Sequence, residues 1–129
     1  MSFAVTHDTF KTEEEVHQRA AARGFNFIKE THVKAVVDDN PLKAQPHFHD
    51  FDTLVFIMEG SLDFIDIETG LQHRCGPGTL VEDIGHNRHA ESHAGFRSLT
   101  AYRVDPATLE LPYVRPAALL ADGLDKPGA

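Results

Sequence analysis

Cysteine is nearly absent from this sequence. The single residue, Cys75, excludes an internal disulfide and every zinc knuckle or ribbon built on cysteine thiolates. Positive charge is also scarce: 12 Lys and Arg stand against 20 Asp and Glu, a formal net charge of −8 with histidines neutral. A phosphate-binding surface needs clustered basic residues to displace counterions, so neither nucleic acid nor anionic lipid is an expected partner. No apolar run approaches the roughly 20 residues of a membrane-spanning helix; the longest near-apolar stretch covers 53–58. Residues 1–6 have no basic n-region and no apolar h-region, so no signal peptide is expected and the cytoplasm is the expected compartment. A phosphate-cradling Gly-rich loop, a nucleophile elbow, internal repeats and low-complexity blocks are all missing, which removes the common nucleotide-binding and serine-hydrolase signatures.

What remains is an ordinary globular composition, 41% apolar and 25% charged over 129 residues. A chain of this length forms one domain and buries roughly two-thirds of its unfolded surface without staples. The excess is in histidine. Of nine histidines, six (His47, His49, His73, His86, His89 and His93) fall between positions 47 and 93, where even spacing would put about three; such a concentration points to a metal site.

Local signals define the elements. Thr12-Glu13-Glu14-Glu15 reads as a capping box, in which the Thr oxygen accepts from the amide three residues on and Glu15 reaches back. An acidic start, a basic end and Gly24 as a stop complete a predicted helix over 12–23. Strand grammar follows: 25–28 and 31–37, a turn at 38–41, then 45–51 and 53–58, with Glu59-Gly60 as a hairpin turn into 61–67. Thr69-Gly70 and Gly76-Pro77-Gly78 are turns, 79–81 and 89–93 are further strands, and 96–104 alternates cleanly. Many short strands with turns roughly every 8–12 residues predict an all-β sandwich or small barrel with one N-terminal helix. The expected layout is an N-terminal segment with the helix (1–24), a barrel (25–115) and a tail (116–129).

His47-Phe48-His49 is the sharpest local motif. On a strand, side chains two apart share a face and lie roughly 6.5–7 Å apart along it, close enough for both imidazoles to converge on one ion. A third ligand has to come from another strand.

In this register the chain resembles the cupins, whose motifs are G-x5-H-x-H-x3-4-E-x6-G and G-x5-P-x-G-x2-H-x3-N. His47 and His49 match the paired histidines, Gly60 the closing glycine, Gly78 the opening glycine of the second motif and His89 its histidine. Pro41 replaces the first opening glycine, Thr53 the glutamate, and Ile84, His86 and His93 the second motif's Pro, Gly and Asn. The resemblance covers residues 25–105. It implies a small cupin barrel or jelly roll, a homodimer, and a divalent transition metal (Fe, Mn, Ni or Zn) held by His47, His49 and His89. Thr53, His93 and His86 are expected as helpers or extra ligands, Thr53 through its hydroxyl. Asp50 and Asp52 are substitutes for the missing carboxylate only if a bulge reverses their facing. Three-histidine cupins that resemble thiol dioxygenases use such a triad for iron and O₂.

The function implied is a metal-dependent enzyme acting on a small molecule, dioxygenase- or isomerase-like. The alternative is a non-catalytic cupin binding a sugar or organic acid, similar to the ligand-binding domains of arabinose-responsive regulators; Thr53 favours it and His89 opposes it. Elsewhere, His7, His17, His32 and His73 read as surface residues, Cys75 as a small turn residue, and Arg97 and Arg103 as a solvated pair. The stretch 53–58 is apolar on both faces, so its outer face needs cover, which a second copy would supply.

Overall fold

The computed structural model describes residues 4–33, 47–48, 51–84, 89–108 and 115–116. Strand β1 (Ala4–Thr6) precedes helix α1 (Glu13–Ala22), which is followed by β2 (Phe27–Val33), β3 (His47–Phe48), β4 (Thr53–Asp66), β5 (Gln72–Cys75), β6 (Leu80–Asp83), β7 (His89–Tyr102) and β8 (Arg115–Pro116). All pairings are antiparallel.

The architecture turns on two 14-residue strands, β4 and β7, paired with each other along their whole length, from Thr53↔Tyr102 to Asp66↔His89. Each changes its other neighbour half-way. The first half of β4 pairs β6, which pairs β1, while the second half of β7 pairs β2. The second half of β4 pairs β5, and the first half of β7 pairs β3, which pairs β8. One ribbon therefore serves two half-sheets, β1-β6-β4-β7-β2 and β5-β4-β7-β3-β8.

The division falls at register shifts between Ile57 and Glu59 and between Gly60 and Leu62. Glu59-Gly60, predicted as a hairpin turn, is instead an irregularity inside a continuous strand. Gly60 has φ +73° and approaches the β7 backbone so closely that a Cβ would lie 2.3 Å from the Gly95 carbonyl oxygen. A glycine in the left-handed region bends a strand without ending it. The predicted strands 89–93 and 96–104 are likewise one strand, β7.

Helix α1 forms as the capping residues require. The Glu15 amide donates to Thr12 Oγ1 at 3.2 Å, and Glu15 Oε1 accepts from the Lys11 amide at 3.2 Å. Val16 and Ala20 are fully buried against Phe10, Phe25, Leu54, Phe56, Leu80, Leu99 and Ala101. Phe10 meets Phe56 edge-on, centroids 5.4 Å apart, an arrangement that adds about 0.5–1.5 kcal/mol to burial. This cluster accounts for the two-faced apolarity of 53–58: Leu54 and Phe56 are covered by the chain's own helix, so that pattern does not call for a second copy. The N-terminal segment is built into the sheet through β1 and into this cluster through α1.

A second cluster combines Ile57 and Val81 from one half-sheet with Leu62, Phe64 and Cys75 from the other, plus Phe96 at the bend. Residues of both half-sheets meeting in one cluster place it between them, in the barrel interior. Cys75 sits here, fully buried, and burial, with a smaller contribution from the Asp63 charge, pushes its thiol up to about 11. An acid whose folded value is raised gives stability that is complete below its unfolded value and is lost as pH rises through the folded one. Stability is therefore expected to fall between pH 9.0 and about 11 in the native protein. In Cys75→Ala that component of the alkaline loss is expected to vanish; urea midpoints at pH 8 and pH 11 check it, and an equal fall in both proteins would contradict the assignment.

Candidate functional site

Two of the buried polar residues, Asp66 and His89, lie side by side at one end of the second half-sheet. His89 opens β7 with its ring 1% exposed, 5.8 Å from the Phe64 ring. Its backbone is in register with Asp66 of β4 on one side and His47 of β3 on the other. Directly opposed residues of an antiparallel ladder stand on the same face, so His89 shares the face of Asp66 and of Phe64, which belongs to the interior cluster. The expected long-range relation between His47 and His89, separated by 41 intervening residues, is thus realised as adjacent strand positions.

Of the other predicted ligands, His49 lies outside the described residues, as do Asp50 and His86; of His47 and His93 only the backbone is described. His93 stands within β7, opposite Leu62, rather than in a loop. Asp52 does not replace the missing carboxylate: its Oδ2 is 3.4 Å from the Arg103 guanidinium. Thr53 is buried and pairs in register with Asp83, itself 4% exposed, so the position of the family's glutamate carries an uncharged hydroxyl beside an aspartate strand neighbour.

Glu91, which the motif does not announce, is a carboxylate beside His89. It lies two residues from His89 on β7, its side chain is 10% exposed, and its Oε2 is 3.5 Å from His89 Nε2. The same-face rule that joins His47 to His49 applies equally to His89-Ala90-Glu91 and is the signal that exposes it. His73 is half-buried, with Phe64 as register partner, and not a surface residue as predicted. Among the described residues no three His, Cys, Asp or Glu side chains converge as a metal cage.

The arginines expected on a solvated face are occupied outside. Arg97 bonds Glu30 at 2.8 Å and Glu59 at 3.3 Å, with Glu13 3.8 Å away, and the Glu30 bond is the main cause of its raised pKa. Arg103 lies over the Phe25 ring, 4.3 Å from its centroid. Among the described residues no helix is long and apolar enough to cross a membrane.

No family model matches the sequence, and no curated protein matches it. Solved structures do. A polyketide cyclase, RemF from Streptomyces resistomycificus, is 21% identical with a TM-score of 0.50, over 77% of this chain and 63% of that one. Acireductone dioxygenase from Bacillus anthracis, solved with a cadmium ion in its active centre, is 17% identical with a TM-score of 0.56, over 70% of this chain and 58% of that one. This chain has the cupin fold. It spans under two-thirds of the length of either cupin neighbour. In cupin terms, β3 carries the first motif's histidine, the bend in β4 its closing glycine, and the start of β7 the second motif's histidine. The second motif's opening glycine is Gly78 (φ +88°), whose amide donates to the Ile57 carbonyl and whose own carbonyl accepts from the Thr9 amide.

The two described donors, a buried imidazole and a nearly buried carboxylate, are of the kind that a divalent transition metal takes. Two ligand atoms each about 2.0–2.1 Å from a tetrahedral ion are about 3.3–3.4 Å apart. His89 Nε2 and Glu91 Oε2 stand 3.5 Å apart, within reach of one common ion.

Proposed function

We propose that the barrel binds a divalent transition metal through His47, His49 and His89 and acts there on a small molecule. The observation that supports it most directly is the buried His89 ring, in register with His47 and facing a carboxylate. When bound, such an ion supplies Lewis acidity and makes a coordinated water more acidic. The chain's own residues do the rest. Phe64 holds the His89 ring, and Leu62, Ile57 and Val81 keep the neighbouring interior dry, which strengthens every polar interaction formed beside them. Thr53 and Asp83, buried as register partners on the other half-sheet, are further polar groups of the fold. The net charge of −8 supports a small molecule over nucleic acid or anionic lipid as the partner.

The likeness to acireductone dioxygenase supports an oxygenase-like reaction, and the likeness to a polyketide cyclase supports non-hydrolytic chemistry on a small organic substrate. Thr53 in place of a carboxylate favours the second reading, a ligand-binding cupin with no reaction.

Protein purified without chelator is expected to carry close to one metal per chain, and stripped protein is expected to regain thermal stability on addition of zinc, nickel or manganese. Metal at a thousand times its dissociation constant adds about 4 kcal/mol. Stripped protein stabilised by sugars or organic acids, with no response to any metal, would replace the enzymatic reading with the binding one.

A further inference from the structure

We propose that Glu91 supplies the carboxylate of this centre, on β7, in place of the position occupied by Thr53; the inference rests on the metal reading above. A neutral threonine hydroxyl is a poor ligand, so three imidazoles alone would leave an ion its full double positive charge inside the barrel. One carboxylate halves that charge and lowers the cost of burying it.

Three acidic side chains, Asp66, Asp83 and Glu91, are buried or nearly buried on the two half-sheets. Asp83 is the strand neighbour of Thr53, on the half-sheet opposite His89. Asp66 is 1% exposed and in register with His89, and its Oδ1 accepts the Glu68 amide at 2.9 Å, which ties one of its two oxygens to the turn that follows β4. Glu91 differs from both. It shares a strand and a face with His89, lies beside the apolar Phe64 as its register partner, and brings Oε2 to 3.5 Å from Nε2. The sequence carries the same two-residue spacing twice, in His47-x-His49 and in His89-x-Glu91.

The test uses the full chain, stripped of metal and titrated with zinc against a competing chelator. Wild type, Glu91→Gln, Glu91→Asp and Asp66→Asn are compared. Glu91→Gln is expected to bind zinc roughly a hundred-fold more weakly or worse. Glu91→Asp, which keeps the charge but shortens the reach, is expected to fall between, and Asp66→Asn to remain within a few-fold of wild type. The zinc-induced rise in melting temperature, taken from each variant's own metal-free midpoint, is expected to disappear in Glu91→Gln; a purely structural role would shift the metal-free midpoint and leave that rise intact. If Glu91→Gln does not fold, Glu91→Asp decides. Zinc affinity unchanged in the Glu91 variants, or lost equally in Asp66→Asn, overturns the assignment of Glu91 while leaving the histidine centre standing. A wild-type chain that takes up no zinc overturns both.

Discussion

Gly60→Val is expected to lower the stability of this protein by about 3 kcal/mol or more, a large part of the roughly 5–15 kcal/mol available to a domain. Two costs combine. A β-branched residue at φ +73° is held in a region it rarely adopts, at about 1–3 kcal/mol. The new Cβ also meets backbone, not a yielding side chain: the Gly95 carbonyl oxygen at 2.3 Å, the Phe96 Cα at 2.9 Å and the Gly95 carbonyl carbon at 3.1 Å. Overpacking of this kind costs about 1–3 kcal/mol more, and here relief requires the two central strands to part. Gly70 provides the control. It has the same φ, +73°, and a Cβ added there would meet nothing within 4 Å, so Gly70→Ala carries the conformational cost alone. Urea unfolding of Gly60→Ala, Gly60→Val and Gly70→Ala separates the two contributions. Equal midpoints for the two alanine variants would show that β4 and β7 do not approach so closely.

The same glycine shows how far the sequence can be read. Its place in the motif is visible, and so is a break in strand grammar at Glu59-Gly60. Local signals cannot distinguish a hairpin from a bulge, because both call for a glycine with positive φ; the choice depends on whether β7 is long enough to run past the break, and that is a tertiary fact. The helix is legible almost to the residue because caps are local: Thr12, Glu15 and Gly24 act within a few positions of where they stand. The cover over Leu54 and Phe56 is not legible. Two-faced apolarity says that both faces are buried and leaves open whether the cover is a second copy or a helix from the chain's own beginning. At the site, spacing locates His47 and His89, and the register makes them neighbours. Glu91 escapes a motif-based reading because the motif puts its acid on β4, at Thr53; the two-residue rule needs no motif and finds it on β7.

His89→Ala is expected to remove two things that can be measured apart. The first is packing. The ring is buried, 5.8 Å from Phe64, and beside the Glu91 carboxylate. Truncation leaves a cavity and strips a polar contact from a nearly buried acid, a loss of about 3 kcal/mol that is expected to persist with chelator present. The second is the metal: with the strand neighbour of His47 gone, zinc uptake is expected to fall below detection. His89→Phe divides the effects, since an aromatic ring of similar size refills the space against Phe64 but offers no donor atom. In chelator its urea midpoint is expected to recover toward wild type, while zinc uptake stays absent. His32→Ala, at an exposed position of β2, is expected to change neither quantity. Zinc binding retained in His89→Phe would mean that this ring serves the core and not the ion, and the barrel's reactive centre would have to be sought among other donors.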